Sequence, residues 1–220
     1  MLTGTPWLVR EPSSAQAYPK HWKFTLRGWL LKRAAMIVAN SQGGCDLWRE
    51  RIPNSNRRLI PNGLPLDEIE LVKSNELELD VPTDRKIILY AGRLTSGRVG
   101  EKNLPSLLRA FKTLAKSSDA LLYLCGEGAQ KRELEQLTGD LGLKDRVTFT
   151  GWLPKKQLWA FMKRVDVYVS LSAFEGCPNT VMEAMACGCP LLVSDIAAHR
   201  EFLDETKALL KVHASNYRII

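Results

Sequence analysis

Short apolar, β-branched runs alternate with segments of helical periodicity along most of this 220-residue chain. Several runs, among them IILYAG, VDVYVS and PLLVS, are apolar on both faces, which is typical of strands covered by helices on both sides. Strand alternating with helix predicts an α/β fold with a doubly wound parallel sheet. The predicted strands are residues 7–9, 36–39, 59–61, 86–91, 120–125, 146–150, 165–170 and 190–194, and the predicted helices are 104–116, 130–139, 156–163 and 178–187.

A change in composition divides this pattern into two parts. Residues 64–84 are acidic and polar, contain two prolines and lack a long apolar run, so they are predicted to be an interdomain linker. Residues 1–63 then form a partial amino-terminal α/β domain, and residues 85–220 a second α/β domain.

Composition limits the class of protein and its partners. A content of 45% hydrophobic and 25% charged residues is typical of a globular protein. Five cysteines without paired CxxC motifs favour a reducing, cytoplasmic setting, and neither a secretory signal nor a membrane-spanning apolar run is evident. The formal charge of +7 favours anionic partners such as nucleotide phosphates, nucleic acid or acidic lipid.

The stretch AFEGCPNTVMEAMACGCP contains two acids in different contexts. Pro178 is predicted to begin a helix that Gly188 ends, so a helix N-terminus follows the strand at residues 165–170 and attracts phosphate there. Glu175 precedes this helix, and Glu183 lies more than one turn inside it. The two acids are therefore predicted to reach different depths of one crevice and to bind a polyhydroxyl ligand. Alternatively, Glu175 caps the helix dipole and Glu183 is a solvated surface acid.

The loop after the strand at residues 86–91 supplies two cations. Gly92 and Arg93 follow the strand directly, and Lys102 precedes a helix that Asn103 is predicted to cap. A guanidinium and an ammonium group at this edge of the sheet suit a diphosphate, although two exposed surface cations would fit the same pattern.

A second glycine-containing loop follows the strand at residues 120–125. Gly126 and Gly128 permit close approach of a backbone to a ligand, and a plain turn is an equally good interpretation. The third glycine of the dinucleotide fingerprint is missing, which argues against a nicotinamide enzyme.

Together these residues resemble a known family. EGCPNTVMEAMACGCPLLVSD resembles the E-x7-E signature of retaining glycosyltransferases of family 4, which have the GT-B fold. PNGLPLD is similar to the interdomain segment of that family, YAGRL…EKNLPSLLRAF to the first strand–loop–helix of its Rossmann-like donor domain, and TFTGWLP to its nucleobase-binding segment. The resemblance covers nearly the whole chain.

The resemblance implies a role for each matching residue. Glu183 would bind the ribose hydroxyls of a nucleotide sugar, and Glu175 the transferred sugar. Arg93 and Lys102 would hold the diphosphate in place of a metal. The remaining contacts with the donor would come from Gly92, Gly126, the backbone N–H groups of Asn179, Thr180 and Val181, and the backbone around Trp152 and Leu153.

The implied reaction is transfer of a sugar from a UDP- or GDP-linked donor to a glycan or lipid-linked acceptor, with retention of configuration and without a metal or other cofactor.

Two departures from the family pattern stand out. The loop TSGRVGE is longer than usual, so Arg98 could share the role of Lys102. Much of the amino-terminal domain and the carboxyl end are missing from the pattern, so we expect the 220-residue chain alone to have weak or no transferase activity.

The amino-terminal region contains a basic amphipathic helix. One predicted face carries Trp22, Leu26, Trp29 and Leu30, with lysines and arginines beside it. Such a helix can lie on an anionic membrane, which would make the protein peripheral at the inner face. Alternatively, it packs on the amino-terminal sheet with its basic side chains directed outward.

Three other functions remain open. A nucleotide-sugar epimerase would require a catalytic histidine that the pattern does not supply, and a nucleic-acid binder would require a recognition helix or stacking platform. A non-catalytic nucleotide-sugar binder is the principal alternative.

Cys187 and Cys189 are more simply interpreted as buried thiols than as metal ligands, because no third ligand is close in sequence.

Overall fold

The computed structural model describes residues 5–12, 22–95 and 102–203, together with the backbone of 210–212. The chain folds into two compact units. The amino-terminal unit contains the described residues up to Gly63 and the segments Phe174–Pro178 and Ile196–Phe202. The carboxyl-terminal unit contains the described residues of Leu64–Ala173, Asn179–Asp195 and the last strand.

The amino-terminal unit is built on a three-stranded parallel sheet in the order β1-β2-β3. Its core is formed by side chains from two helices and the central strand, namely Phe24, Leu31, Ile37, Leu47, Trp48 and Ile52. The elements are β1 (Leu8–Glu11), α1 (Trp22–Leu31), β2 (Met36–Ala39), α2 (Gln42–Arg51), β3 (Arg57–Leu59) and, later in the chain, α8 (Ala197–Arg200).

The carboxyl-terminal unit contains a six-stranded parallel sheet in the order β6-β5-β4-β7-β8-β9. The predicted α/β class with parallel sheets is therefore confirmed. The elements are α3 (Leu66–Leu71), a 3₁₀ turn (Ser74–Glu76), β4 (Ile87–Ala91), α4 (Leu104–Leu114), β5 (Leu121–Cys125), α5 (Lys131–Asp140), β6 (Val147–Gly151), α6 (Lys155–Met162), β7 (Val167–Ser170), α7 (Asn179–Ala186), β8 (Leu191–Ser194) and β9 (Leu210–Val212).

Both faces of this sheet are covered, as the two-sided apolar runs predict. Along β4, Ile87 and Leu89 contribute to one core cluster, whereas Tyr90 contributes to the other. The first cluster includes Trp159 of α6, and the second includes Phe111 of α4. The alternation follows from the two-residue side-chain period of a strand.

The segment predicted as a linker differs from that expectation. Residues 64–84 belong to the carboxyl-terminal unit and contain α3 and the 3₁₀ turn, and Ile69 and Val72 are buried in its core. The ammonium group of Lys163 donates to the carbonyls of Ile69 and Val72, each at 2.6 Å, and to that of Glu70 at 3.2 Å. The segment is held to the unit by the buried side chains of Ile69 and Val72 and by Lys163, which follows the end of α6. It does not need a long apolar run for this.

Helix α1 packs on its unit through residues other than the predicted apolar face. Phe24 and Leu31 are buried, whereas Trp22, Leu26 and Trp29 are 65, 45 and 50% exposed. None of the helices in the described residues is long and apolar enough to cross a membrane.

A buried ion pair holds α1 to the first strand. The carboxylate of Glu11 is fully buried and accepts hydrogen bonds from the guanidinium of Arg27 at 3.0 Å and from the indole N–H of Trp48 at 2.8 Å. Arg27 is therefore a structural partner of Glu11, because a buried carboxylate is stable only when it is paired.

Candidate functional site

The strand order of the carboxyl-terminal unit creates a switch point between β4 and β7. The chain starts at β4, proceeds outward through β5 and β6, and returns to place β7 on the other side of β4. Ligands of open α/β sheets bind at such a point, outside the carboxyl ends of the strands. Gly92 follows β4, Gly126 follows β5 and Trp152 follows β6, so these three predicted site residues lie at the same edge of the sheet.

The loops at this edge are joined through their backbones. The N–H of Gly92 donates to Cys125 at 2.9 Å, that of Leu94 to Glu127 at 2.9 Å, and that of Gly126 to Gly151 at 2.8 Å. A Cβ atom on Gly126, whose φ is +140°, would come within 2.9 Å of the carbonyl carbon of Gly92 and still closer to its oxygen. Contact between two loops is therefore sufficient to require glycine at this position.

The cationic loop is anchored at its start. Leu94 is fully buried, and the hydroxyl of Tyr90 donates to the carbonyl of Arg93 at 3.2 Å, while the Arg93 side chain is exposed. Lys102 is half-buried just before α4. Residues 96–101 lie outside the described residues, and so does the expectation for Arg98.

The predicted cap of α4 is confirmed in its position but not in its hydrogen bond. Asn103 is the N-cap residue, but its side chain makes no capping hydrogen bond and its backbone is left-handed, with φ of +56°. Asparagine tolerates this conformation better than most residues, because its short polar side chain can form local hydrogen bonds.

The start of α7 also lies at the switch point. The helix begins at Asn179, one residue later than predicted, with Asn179 exposed, Thr180 half-buried and Val181 buried. Its first N–H groups have no partner within the helix ladder, so this end carries a partial positive charge.

Tyr168 of β7 connects the two elements of the switch point. Its hydroxyl lies 2.9 Å from the carbonyl oxygen of Ala91 and 2.9 Å from Oγ1 of Thr180. Because a carbonyl can only accept, the phenolic proton goes to Ala91, and the Thr180 hydroxyl donates to the phenolic oxygen. One fully buried side chain thus ties the end of β4 to the first turn of α7.

Glu183 is a buried acid. Only 3% of the residue is exposed, so the alternative interpretation as a solvated surface acid is wrong. Its Oε1 accepts a hydrogen bond from the ammonium group of Lys155, at the start of α6. A buried carboxylate with a single exposed cationic partner remains able to accept further hydrogen bonds.

Glu175 lies in a different compact unit from Glu183. It is half-buried within Phe174–Pro178, which belongs to the amino-terminal unit. Its predicted role at the transferred sugar stays a prediction.

The predicted nucleobase segment follows β6. Trp152 is 70% exposed, whereas Leu153 packs against the core of the carboxyl-terminal unit. Leu153 therefore holds the backbone of this segment in place while the indole remains accessible to a ligand.

All five cysteines lie in the described part of the chain and none is in a disulfide bond; Cys45, Cys125 and Cys189 are buried, and Cys177 and Cys187 are half-buried. Burial raises the pKa of Cys187 to about 11 and that of Cys189 to about 12, so both are neutral thiols at physiological pH. Within the described part of the chain, no group of three His, Cys, Asp or Glu residues is arranged to hold a metal ion.

Sequence patterns missed Lys155 and Tyr168. Lys155 comes shortly after the TFTGWLP segment, which was the available signal, but nothing local connects it to an acid 28 positions later. Tyr168 lies between two valines in an apolar strand, and its hydroxyl was the only indication of a polar partner.

The family of the chain follows from comparison with known proteins. The sequence profile of the family described as Glycosyl transferases group 1 matches residues 73–217. The chain therefore belongs to the glycosyl transferases group 1 family.

Individual relatives and structures agree with this. The chain is 29% identical over 190 residues to the N-acetylgalactosamine-N,N'-diacetylbacillosaminyl-diphospho-undecaprenol 4-alpha-N-acetylgalactosaminyltransferase of Campylobacter jejuni, covering 85% of this chain and 49% of that protein. Sucrose-phosphate synthase of Thermosynechococcus elongatus matches with a TM-score of 0.80 and 25% identity, over 96% of this chain and 55% of that one. Anabaena HepE, solved with UDP and glucose, matches with a TM-score of 0.72 and 19% identity, over 91% of this chain and 56% of the HepE chain.

These structural neighbours are GT-B glycosyltransferases, which confirms the expected fold. The chain aligns with between 32 and 53% of the length of the curated relatives that it matches.

Proposed function

We propose that this chain carries the nucleotide-sugar half-site of a retaining glycosyltransferase of family 4, in which Glu175 and Glu183 form the E-x7-E motif. The observation that carries the proposal is the buried Glu183 on α7, whose N-terminus lies at the same switch point as the loop containing Arg93. A helix N-terminus and a cation at this edge of the sheet suit the diphosphate of a nucleotide, and a buried carboxylate suits the hydroxyl groups of its ribose.

Each group has a chemical role in this proposal. The first N–H groups of α7, with Arg93 and Lys102, bind the diphosphate and stabilise the charge that develops as it leaves. Glu183 accepts hydrogen bonds from the ribose hydroxyls. Glu175 binds the transferred sugar, a role that rests on the resemblance alone. The reaction is proposed to need no metal.

The proposed substrates draw on the relatives. HepE, which shares the fold, was solved with UDP and glucose, and this supports a UDP-linked donor over a GDP-linked one. The C. jejuni relative is named for transfer to a diphospho-undecaprenol-linked sugar, which supports a lipid-linked or glycan acceptor in polysaccharide synthesis.

A ligand titration tests the donor half-site. In thermal unfolding of the chain, UDP or GDP at 100 times its dissociation constant should add about 2.7 kcal/mol of stability. Glu183→Gln should abolish this gain, whereas Glu135→Gln, at an exposed position of α5, should retain it. If no nucleoside diphosphate stabilises the wild-type chain, or if Glu183→Gln responds like the wild type, the proposed site is wrong.

A transfer assay separates catalysis from binding. A full-length homologue that binds the same donor and forms no glycoside with any acceptor would favour the non-catalytic binder instead.

We also propose peripheral membrane contact through α1. The exposed Trp22 and Trp29 lie beside cations, with the guanidinium of Arg33 3.9 Å from the Trp29 ring centroid and the ammonium of Lys23 5.8 Å from that of Trp22. Tryptophan and cations on one exposed helix face suit an anionic bilayer surface.

Vesicle binding tests the membrane proposal. Phosphatidylglycerol vesicles should co-sediment the wild-type chain, and the double substitution Trp29→Ser with Lys23→Glu should reduce binding. Arg27 is left unchanged, because it pairs with the buried Glu11. Equal sedimentation of both proteins would refute the proposal, and phosphatidylcholine vesicles provide the uncharged control.

A further inference from the structure

Glu183, the buried acid of α7, has a cationic partner directly after the predicted nucleobase segment. The ammonium group of Lys155 donates a hydrogen bond to Oε1 of Glu183. The Glu183 side chain is only 4% exposed, whereas that of Lys155 is 64% exposed. Lys155 begins α6, two residues after Leu153, so the ion pair joins the segment proposed for the base to the acid proposed for the ribose.

The cost of burying the Glu183 carboxylate explains why the ammonium group of Lys155 is directed toward it. A buried carboxylate is costly unless a positive group compensates it. Lys155 supplies that charge from the surface, and its ammonium also lies 5.7 Å from the ring centroid of the buried Trp159. The lysine head is therefore held between an acid and an aromatic ring, although most of its side chain is in solvent.

The pair matches the hydrogen-bonding needs of a ribose. An ammonium group has three donors and uses one on Glu183, while a carboxylate has about four acceptor positions. A sugar hydroxyl both donates and accepts, so two adjacent hydroxyls can donate to Glu183 and accept from Lys155 at the same time.

We infer that Lys155 is a donor-binding residue that contacts the ribose of the nucleotide sugar and is positioned for this by Glu183. This inference rests on the proposed function of the same site. It assigns specificity for a ribonucleoside diphosphate to an ion pair, rather than to Glu183 alone.

Calorimetric titration of the 220-residue chain tests this inference with UDP and with 2′,3′-dideoxy-UDP. Lys155→Met should weaken UDP binding about tenfold or more, the size expected for a lost charge-assisted hydrogen bond. The same substitution should change affinity for the dideoxy analogue by about twofold or less. Lys155→Arg, which retains a cation and its donors, should recover part of the loss.

Lys156→Met is the matched control, because Lys156 is an exposed residue next to Lys155 and its removal changes the net charge equally. It should bind UDP as the wild type does. Thermal unfolding without ligand establishes that each variant is folded, and a Lys155→Met chain that does not fold is replaced by Lys155→Gln in the same titrations.

The outcomes separate the two levels of inference. If the wild type binds UDP and Lys155→Met binds it equally well, the lysine has no role at the ribose, and the inference fails alone. Equal losses for UDP and its dideoxy analogue, or equal losses in Lys155→Met and Lys156→Met, overturn it as well. If the wild type binds no nucleoside diphosphate, the proposed function fails and takes this inference with it.

Discussion

The glycine at position 126 allows the clearest quantitative test of the loop arrangement that supports the site. Gly126 has a φ of +140°, and an added Cβ would come within 2.9 Å of the carbonyl carbon of Gly92. The unfavourable backbone conformation costs about 1–3 kcal/mol for an alanine. Separating two packed backbones adds about 1–3 kcal/mol. Gly126→Ala should therefore lower the free energy of unfolding by about 4 kcal/mol.

Gly188 provides a matched control for this substitution. Its φ is +70°, so alanine is again strained, yet nothing lies within 4 Å of an added Cβ. Gly188→Ala should cost about 1 kcal/mol, since the left-handed strain of about 1–2 kcal/mol is partly offset by a less flexible unfolded chain.

Thermal unfolding of both variants measures the difference. For a chain of this size, 1 kcal/mol corresponds to about 2–4 °C in Tm, so we expect a fall of about 8–16 °C for Gly126→Ala and about 2–4 °C for Gly188→Ala. Because Gly92 directly precedes Arg93, which is proposed to bind the diphosphate, Gly126→Ala should also weaken the proposed binding of UDP. Equal Tm values for the two variants would refute the proposed loop contact.

Three further predictions concern other contacts. Tyr168→Phe should cost about 1–3 kcal/mol, because it leaves the buried carbonyl of Ala91 and the half-buried hydroxyl of Thr180 without their partner. It should weaken the proposed UDP binding in calorimetry while leaving secondary structure by circular dichroism unchanged. Lys163→Met should speed amide hydrogen exchange in α3 without affecting α4, since the ammonium binds three carbonyls at the end of α3. Unchanged exchange would contradict this contact. Burial raises the pKa of Cys125 and of Cys189 from 9 to about 12, so the folded state retains these thiol protons up to a higher pH than the unfolded state does. The free energy of unfolding, measured by denaturant titration, should therefore be independent of both thiols below pH 9 and fall between pH 9 and 12. Stability that rises over this range would contradict their burial.

The elements that sequence analysis located well share a local cause. Strands β4, β5, β7 and β8 and helices α4 to α7 lie within a few residues of their predicted bounds, because periodicity and glycine or proline breaks act within one segment. The depth of Glu183 inside α7 could be predicted in the same way, since it depends only on where the helix begins.

Other features could not be predicted from local patterns. α2 has a polar composition with two glycines in its first turn, so its burial of Trp48 gave no strong helical signal. The docking of residues 64–84 depends on Lys163, which lies more than 90 positions after α3. The outward orientation of Trp29 depends on which side of α1 meets the sheet, and a helix with apolar residues on two sides leaves that choice open.

The sequence by itself determined the alternation of strands and helices, the covered parallel sheet, and the motifs through which the chain resembles a glycosyltransferase, because these depend on the order of residues along one segment. Only the tertiary structure decided that β7 lies beside β4, that the Tyr168 hydroxyl reaches Ala91, and that Lys155 pairs with the buried Glu183. Such pairings join groups that are 28 to 77 positions apart. They arise because buried polar groups require partners, and only the packing of the whole unit determines which partners are within reach.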